Sequence, residues 1–433
     1  MKRAIALCGG GTKGIYEIGV WKALRELNID YQIVTGTSIG AVNGAVMAMN
    51  DYELADELWN NIRMEDIMLE GVNLTTTIEG MYNQKDSIKP FLKKYIKNKG
   101  ADVSPFLEFI DRQIDEERLR ESDIDYGLVT VRVSPLKAHE LRKSDIPAGR
   151  MKDYIMASSS IFPIFPMHKI DDELYLDGCY YDNLPIELAL KMGADEIIAV
   201  DLHTNPIHSS YTNKPYVHYI LPSKSLGTIL NFDKDVLKAN RRLGYYDTLK
   251  YFDKIVGFSY MFDKNSLKEY EKHIFHFVTM LARTEAIVME KVSNVLTKTG
   301  DNARLCQVIE EGLGLKKEKY TREDYFIGAA EICGKFFKIQ KKETWSMKEF
   351  LKEIMDNILP VDAYPDIKLF QEKGGIEVAK RVTELKLRRE SSYIIGCIYY
   401  ALKQDMLDLA EQSTPITFLL SELTAALFLL TVS

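Results

Sequence analysis

The first fifty residues alternate short apolar runs with helical patterns, and a glycine-rich turn follows each of the first two runs. Residues 3–8 and 31–34 are largely apolar and are predicted to be buried strands. Between them, residues 14–27 place apolar side chains at helical spacing. Residues 38–49 are rich in small residues, which suit a helix lying close against a sheet. A strand, a crossover helix and a second strand make a parallel unit. The sequence therefore predicts an α/β fold with a mainly parallel central sheet flanked by helices.

The sequence pattern changes near residue 250. Before that point, residues 124–133 and 197–202 are further predicted strands, and residues 169–176 have the pattern of a hairpin. After it, long stretches with helical periodicity replace the strand-like runs. We therefore expect two domains: an α/β domain over residues 1–250, and an all-α C-terminal domain of unassigned role over residues 251–433. The helices predicted in the second domain are residues 266–296, 322–339, 346–358, 375–387, 393–409 and 416–432.

The last of these stretches, residues 416–432, is apolar apart from Glu422 and a few hydroxyl side chains. Such a stretch is compatible with a membrane anchor or with a helix buried in the protein. It is short for a membrane span and has no flanking basic residues. These two features favour the buried helix.

The composition excludes several classes of protein. The chain has 433 residues, of which 46% are hydrophobic, enough to bury large cores without disulfide bonds. Its five cysteines show no metal-type spacing and fit a reducing intracellular compartment. The net charge of −7 gives no general attraction for nucleic acid, and the first apolar run is too short for a secretion signal. We expect a cytoplasmic protein without a nucleic-acid partner, and the sequence does not determine its oligomeric state.

A GxSxG pattern, formed by Gly36, Ser38 and Gly40, joins the second strand to the small-residue helix. In a nucleophile elbow, a strained turn from strand to helix exposes the serine hydroxyl above the sheet, and small residues on both sides let the turn pack. The free N–H groups at the start of the helix can also stabilise an oxyanion. Ser38 is therefore a candidate nucleophile. The alternative is a structural serine in a glycine-rich turn.

The other glycine-rich turn follows the first strand. It reads Gly9, Gly10, Gly11, Thr12, Lys13, Gly14. It satisfies GxGxxG in form, but no acidic residue ends the second strand, as a dinucleotide site requires. It is not a P-loop for phosphate either, since a glycine rather than a serine or threonine follows Lys13. A loop of bare backbone amides beside a serine turn is instead the layout of an oxyanion hole.

A serine nucleophile needs a base, and the sequence offers two candidates. His203 follows the strand at residues 197–202 and is the best histidine for a triad, although too few strands precede Ser38 for an α/β-hydrolase. Asp177 ends the predicted hairpin, and Gly178 would permit a tight turn there. Apolar neighbours would raise the pKa of this aspartate toward that of a useful base. Asp177 could equally cap the turn, so the residues alone leave both roles open.

Three motifs in this order, GGGTKG, GTSIG and DGC, resemble those of the patatin-like phospholipase family, in particular its bacterial-type lipid acyl hydrolases. The segments ASSSIFP at 157–163, DNLP at 182–185 and RLGYYD at 242–247 add to the resemblance, which covers about residues 1–250. Two positions depart from the family pattern. Lys13 stands where many members have arginine, and Cys179 replaces the second small residue of a DGG or DGA motif.

The resemblance implies a serine hydrolase that uses no cofactor and no metal. Ser38 would attack a carboxylic ester, Asp177 would take its proton, and water would hydrolyse the acyl-enzyme. Amides of the glycine-rich loop, those of Gly10, Gly11 and Thr12, would hold the oxyanion. The implied activity is that of a phospholipase A or a lysophospholipase. A general carboxylesterase or thioesterase, and a non-catalytic lipid-binding or regulatory protein, are the alternatives.

A basic amphipathic pattern at residues 88–99 bears on contact with a membrane. Five apolar side chains form one helical stripe, and five lysines, Lys89, Lys93, Lys94, Lys97 and Lys99, surround it. This arrangement suits an interfacial helix, but an ordinary surface helix that packs its apolar stripe on the domain is the more common case. The partners we expect are a lipid or other acyl ester substrate and the inner face of a membrane, contacted peripherally.

Overall fold

The computed structural model describes residues 1–69, 101–293, 305–313, 320–371, 376–407, 409 and 417–433. The chain divides into two compact units, Met1–Phe252 and Asp253–Ser433. The basic pattern at residues 88–99 lies outside the described residues, so the expected packing of its apolar stripe on the domain and the alternative interfacial role are both untested.

Within the described residues, the first unit contains an eight-stranded sheet. Its strands are β1 (Arg3–Leu7), β2 (Ile33–Thr37), β3 (Asp125–Arg132), β4 (Lys137–Arg142), β5 (His168–Ile170), β6 (Glu173–Asp177), β7 (Glu196–Val200) and β8 (Val217–Ile220). Hydrogen-bonded neighbours follow the path β5-β6-β3-β2-β1-β7-β8, and β4 also pairs with β3. The pairs made by β1, β2, β7 and β8 are parallel, whereas β4, β5 and β6 pair antiparallel. The predicted mainly parallel sheet is therefore confirmed.

The parallel centre of the sheet is buried on both faces. All residues of β1 except Arg3, and all residues of β2, are buried, as expected for strands covered by helices on both sides. β2 extends beyond its predicted end because Thr37 still pairs with Val129 of β3. The predicted hairpin is the antiparallel pair β5–β6.

Two strands, β4 and β8, are not indicated by the sequence pattern. β4 reads KAHELR and is an exposed to half-buried edge strand, so its side chains lack the apolar run of the central strands. β8 is four residues long and gives too short a signal for periodicity.

Helices cover the sheet of the first unit. They are α1 (Ile15–Glu26), α2 (Ile39–Ala48), α3 (Tyr52–Asn61), α4 (Ser104–Gln113), α5 (Glu116–Glu121), α6 (Met151–Ser158), α7 (Ile186–Lys191) and α8 (Lys234–Tyr251). Helices α1 and α8 cross at two glycines. A Cβ on Gly19 would lie 1.9 Å from the carbonyl oxygen of Arg241, and one on Gly244 would lie 2.1 Å from that of Tyr16. The glycine of the RLGYYD segment is therefore needed for backbone contact between these two helices.

The second unit is mainly helical and has its own hydrophobic core. It contains the short ladder β9 (Ile255–Val256) and β10 (Phe262–Asp263). Its helices are α9 (Glu271–Ser293), α10 (Leu305–Leu313), α11 (Arg322–Phe336), α12 (Met347–Asp356), α13 (Ile376–Arg388), α14 (Ser391–Lys403) and α15 (Leu420–Val432). Aromatic side chains fill much of this core, for example Phe262, Phe277, Phe326, Phe350 and Phe428. The nine-residue helix α10 is not predicted by the sequence, because it is too short to give a clear helical periodicity.

The apolar C-terminal stretch forms the buried helix α15. Its one charged residue, Glu422, is 1% exposed and is paired inside the unit. Its carboxylate accepts a hydrogen bond of 2.8 Å from the Ser391 hydroxyl and lies 3.4 Å from the ammonium group of Lys386. The predicted burial of this stretch is confirmed. In the part of the chain that the structure describes, each helix is too short or too polar to cross a lipid bilayer.

Candidate active site

Ser38 occupies a strained turn between β2 and α2. Its backbone has φ 58° and ψ −126°, a region that residues other than glycine rarely adopt. The preceding residue, Thr37, ends β2, and Ile39 begins α2. The Ser38 N–H donates a hydrogen bond of 3.0 Å to Oγ of Ser158, whose hydroxyl donates in turn to the carbonyl of Val129 at 2.7 Å. The turn is therefore held by a side chain from α6.

The two glycines of the GxSxG pattern are required by close backbone packing. A Cβ on Gly36 would lie 2.0 Å from the carbonyl oxygen of Gly40. A Cβ on Gly40 would lie 2.6 Å from the carbonyl oxygen of Leu7 at the end of β1. No side chain fits at either position. Because both residues are glycines, α2 can start directly above the ends of β1 and β2.

The glycine-rich loop lies beside Ser38. A Cβ on Gly9 would be 3.0 Å from Cβ of Ser38 and 2.3 Å from Oδ1 of Asn183. Gly11 has φ +56°, and a Cβ there would lie 2.1 Å from the carbonyl oxygen of Ile229. At the far end of the loop, a Cβ on Gly14 would lie 2.7 Å from the Ile39 side chain. The glycines let the backbone of the loop approach the serine turn.

Not every amide of this loop is free. The N–H of Gly9 donates to the carbonyl of Asn183 at 2.9 Å, and the N–H of Thr12 donates to the carbonyl of Ile229 at 2.9 Å. The Lys13 N–H closes the turn on the carbonyl of Gly10. The N–H groups of Gly10 and Gly11 have no backbone acceptor among the described residues. The available donors are therefore these two amides, and the amide of Thr12, expected as a third, is already engaged.

The pairing of β3 brings the ends of β2 and β6 together. Along one edge, β3 pairs with β4, which leaves its other edge to β2 and β6. On that edge, Val129 faces Thr37 of β2, and the next residue, Thr130, faces Asp177 of β6. β2 and β6 therefore meet end to end, and Ser38 and Asp177 lie at the junction.

The Asp177 carboxyl group is buried, with 1% of the residue exposed. Its Oδ1 accepts a hydrogen bond of 2.8 Å from the N–H of Cys179, while Oδ2 has no hydrogen-bond partner among the described residues. Burial raises the pKa of Asp177 from 3.8 to about 6, and the Cys179 amide and the nearby Ser38 hydroxyl oppose part of that rise. The structure thus provides a desolvated carboxyl group with one unused oxygen next to a serine hydroxyl.

The turn after Asp177 has no room for a side chain at Gly178. A Cβ there would lie 2.2 Å from the carbonyl oxygen of Val129 and 2.9 Å from the Thr37 side chain. The next residue, Cys179, lines the cavity beside Ser38, and burial raises the pKa of its thiol. The departure from the family motif therefore places a neutral thiol in the cavity wall.

A cavity of about 230 Å³ opens beside Ser38 and Asp177. The glycine-rich loop forms one side, and Lys13, Cys179 and His203 are the other ionisable wall residues in the described part of the chain. The remaining walls are mostly apolar and include Trp59, Ile62, Phe106, Ile164, Phe165 and Phe232. A smaller cavity of about 20 Å³ shares Ile39, Trp59, Ile62 and Phe106 with it. The site is therefore an apolar pocket with its polar groups gathered near the serine.

His203, the best histidine predicted for a triad, also lines this cavity. In the described part of the chain it is bonded to Asp201, and no hydrogen bond joins it to Ser38. Cys8, Asp201 and His203 have ligand-type atoms within 4.8 Å of one another. Burial raises the pKa of the Cys8 thiol and so keeps it protonated. A metal ion would need the thiolate, so these three residues do not fit a metal site well.

Two residues that hold the site carry no distinctive sequence signal of their own. Ser158 supports the Ser38 turn, and the Asn183 amide group donates to the Gly9 carbonyl at 3.1 Å and lies 3.3 Å from the Cys8 sulfur. Both belong to segments that resemble the family, ASSSIFP and DNLP, but their roles depend on contacts between distant parts of the chain.

Comparison with known proteins bears on this site. Residues 5–190 match the family model of patatin-like phospholipases, a range that includes Ser38, Asp177 and the glycine-rich loop. Residues 5–190 form a patatin-like phospholipase domain.

Curated relatives of this patatin-like domain belong to much longer proteins. The chain is 29% identical over 207 residues to patatin-like phospholipase domain-containing protein 7 of Mus musculus, covering 46% of this chain and 13% of that protein. It is 30% identical over 203 residues to lysophospholipase nte1 of Aspergillus terreus, covering 46% of this chain and 12% of that protein. The chain thus spans about an eighth of the length of these relatives.

Among solved structures, VipD of Legionella pneumophila is 14% identical, with a TM-score of 0.35 over 100% of this chain and 90% of that chain. Similarity at this level adds nothing to the architecture of the patatin-like domain described above.

Proposed function

We propose that this protein is a serine lipid acyl hydrolase of the phospholipase A or lysophospholipase type. In this proposal Ser38 is the nucleophile and Asp177 is the general base. The observation that carries the proposal is the unpartnered Oδ2 of a buried Asp177 beside the Ser38 hydroxyl. The patatin-like domain and its curated relatives, one of which is named a lysophospholipase, support the same class of reaction.

The chemistry follows from the two side chains. The Ser38 hydroxyl attacks the ester carbonyl while Asp177 accepts its proton, which forms an acyl-enzyme that water then hydrolyses. A carboxylate is usually too weak a base for this step, but a pKa of about 6 brings Asp177 close to neutral pH. The positive φ of Ser38 keeps its hydroxyl in the cavity, above the junction of β2 and β6.

Two backbone amides are placed to stabilise the oxyanion. The N–H groups of Gly10 and Gly11 lie in the loop that packs against Ser38, and no backbone acceptor among the described residues engages them. Each such donor contributes on the order of 3 kcal/mol to transition-state stabilisation in other hydrolases. The loop is held in place by Asn183 and by the carbonyl of Ile229.

The apolar cavity supports a substrate with a long acyl chain. Its wall away from Ser38 and Asp177 is built from aromatic and branched side chains such as Trp59, Phe106 and Phe165. Burying each methylene of a chain there contributes about 0.8 kcal/mol. A small acid without an alkyl chain would leave this wall uncovered, which favours an ester of a long-chain acid over one of a short-chain acid.

Fatty-acid release from a lysophospholipid, a diacyl phospholipid and a p-nitrophenyl ester tests this proposal. Wild type should release fatty acid, and Ser38→Ala should lower the rate by at least about a thousandfold. Ser159 also lines the cavity but donates to the carbonyl of Ile155, so Ser159→Ala is the matched control and should keep most activity. If folded wild type cleaves none of these esters, the protein is not a hydrolase of this class.

A further inference from the structure

The wall of the cavity that holds Ser38 also includes an aspartate–histidine pair. Nδ1 of His203 lies 2.8 Å from Oδ1 of Asp201. Asp201 is completely buried, whereas the His203 side chain is 41% exposed and borders the cavity. The pair follows β7. It lies next to the glycine-rich loop, as shown by the distance of 2.7 Å between a Cβ built on Gly10 and the side chain of Leu202, which lies between the two residues of the pair.

The other contacts of Asp201 hold its carboxylate in place beside the histidine ring, and among them the Cys8 thiol lies 3.8 Å from Oδ1. Oδ1 also accepts the His203 N–H at 3.0 Å, and Oδ2 accepts the N–H of Ile207 at 3.0 Å and the hydroxyl of Tyr219 at 2.8 Å. Burial acts to raise the pKa of Asp201, but these donors outweigh it and hold that pKa below its ordinary value. An ionised carboxylate can only accept, so Nδ1 keeps its proton and Nε2 is the ring nitrogen that can gain or lose one.

The position of His203 suits the leaving group of an ester. The acyl chain belongs against the apolar wall formed by residues such as Trp59 and Phe106. With the acyl chain there, the alcohol would face the polar part of the cavity wall, which includes the partly exposed His203. An alkoxide leaving group is strongly basic and requires a proton as the ester bond breaks, and a positioned imidazolium is the common donor for this step.

Resting on the hydrolase function proposed above, we infer that His203 is a second acid–base residue, acting on the leaving alcohol, with Asp201 as its positioning residue. As Ser38 attacks, its proton passes to Asp177. The alkoxide is expelled and takes the Nε2 proton of His203, which releases a neutral alcohol. In deacylation, water attacks the acyl carbon and returns a proton to Nε2, and the departing Ser38 oxygen takes its proton back from Asp177.

This assignment makes the effect of a histidine substitution depend on the leaving group. p-Nitrophenolate is a weak base and leaves without gaining a proton. The alkoxide of glycerol is a strong base and needs a proton as it leaves. We expect His203→Gln to lower kcat/KM for a monoacylglycerol by about a hundredfold or more, and kcat/KM for the p-nitrophenyl ester of the same acid by less than about fivefold. Because kcat/KM reports only steps up to acylation, a slower deacylation does not affect this comparison.

A matched control comes from the neighbouring strand. His218 is also paired with a carboxylate, since its Nε2 lies 2.7 Å from Glu196, but it is not part of the described cavity wall. His218→Gln should leave both rates within about twofold. Asp201→Asn should reproduce the leaving-group dependence of His203→Gln more weakly, because the ring keeps its place but loses its fixed tautomer.

Two other outcomes would contradict the assignment of His203 as the acid for the leaving alcohol. If both esters lose the same factor in His203→Gln, or neither does, His203 is not the acid for the leaving group. If a lysophospholipid loses activity but an uncharged monoacylglycerol does not, His203 binds the anionic headgroup instead. Cleavage of the p-nitrophenyl ester by wild type but not by Ser38→Ala shows in the same assay that the proposed hydrolase function holds. A failure of His203 is therefore distinguishable from a failure of Ser38.

Discussion

Oγ of Ser158 accepts a hydrogen bond of 3.0 Å from the backbone N–H of Ser38. Ser158 is the last residue of α6 and is completely buried, and its hydroxyl donates to the carbonyl of Val129 in β3. One side chain thus joins the serine turn, the helix and the central sheet. A residue such as Ser38 with positive φ carries a strain of about 1–3 kcal/mol, so the surrounding structure must hold it in place.

We expect Ser158→Ala to lower both activity and stability. The substitution leaves the Ser38 N–H and the Val129 carbonyl without their partner, at a cost of about 1–3 kcal/mol in the free energy of unfolding. The turn can then relax, and kcat should fall about tenfold or more with little change in KM. Ser160→Ala is the matched control, since the Ser160 hydroxyl is also buried but bonds only to the carbonyl of Met156. Equal activity of both variants would show that Ser158 does not support the turn.

The raised pKa of Asp177 predicts how activity depends on pH. The carboxylate can accept the Ser38 proton only when ionised, and its pKa is about 6. As pH falls through that value the group becomes protonated, and kcat/KM should decrease about tenfold for each further unit. The measurement is kcat/KM for a p-nitrophenyl ester, whose leaving group needs no proton from His203, between about pH 5 and pH 8, with folding checked at each pH by circular dichroism. A rate that is constant or rises toward acid pH is incompatible with Asp177 as the base.

The same raised pKa means that ionised Asp177 destabilises the folded protein. The rise from 3.8 to about 6 corresponds to about 3 kcal/mol spent on keeping the buried group ionised. Because the folded pKa lies above the unfolded one, this cost is fully present above about pH 6 and disappears below about pH 4. Asp177→Asn should therefore raise the free energy of unfolding by up to about 3 kcal/mol at pH 8, with no gain at pH 4.

Urea unfolding of both proteins at the two pH values measures this difference. Asp172→Asn is the control, because the Asp172 side chain is fully exposed in the β5–β6 turn and should change nothing at either pH. A destabilised Asp177→Asn at pH 8 would mean that the carboxylate is held by favourable contacts and is not poised to take a proton.

Phe106 should limit the length of the acyl chain. Its ring lies in the shared wall between the cavity of about 230 Å³ and the smaller one of about 20 Å³. Phe106→Leu would shorten this wall, and room for two more methylenes would favour the longer ester by about tenfold in kcat/KM. A series of p-nitrophenyl esters of increasing chain length measures the shift. Phe109 borders only the smaller cavity, so Phe109→Leu should not move the preference.

The parallel core of the fold could be predicted from local sequence. The apolar runs of β1 and β2 and the small residues of α2 are continuous signals, and the glycines between them mark the turns. The edge strand β4 could not, because its exposed and half-buried residues lack the apolar run of a central strand. The end-to-end meeting of β2 and β6 could not be predicted either, since it depends on which edge of β3 is already taken by β4.

At the site, Ser38 and Asp177 could be named from short motifs, but their supports could not. Ser158 is 120 positions from Ser38 in the chain, and no local pattern connects the two. The availability of loop amides depends on the carbonyl of Ile229, which lies far along the chain and engages Thr12. Contacts between residues so far apart in the chain produce no periodic pattern in the sequence, so they could not be predicted from it.

Reaction with a fluorophosphonate probe tests the central claim most directly. After the probe reacts with wild type, Ser38→Ala and the control Ser159→Ala, intact-protein and peptide mass spectrometry locate the adduct. We predict a single adduct on Ser38 in wild type and in Ser159→Ala, and none in Ser38→Ala. An adduct on another residue, or ester hydrolysis that persists in unlabelled Ser38→Ala, would contradict the assignment of Ser38 as the nucleophile.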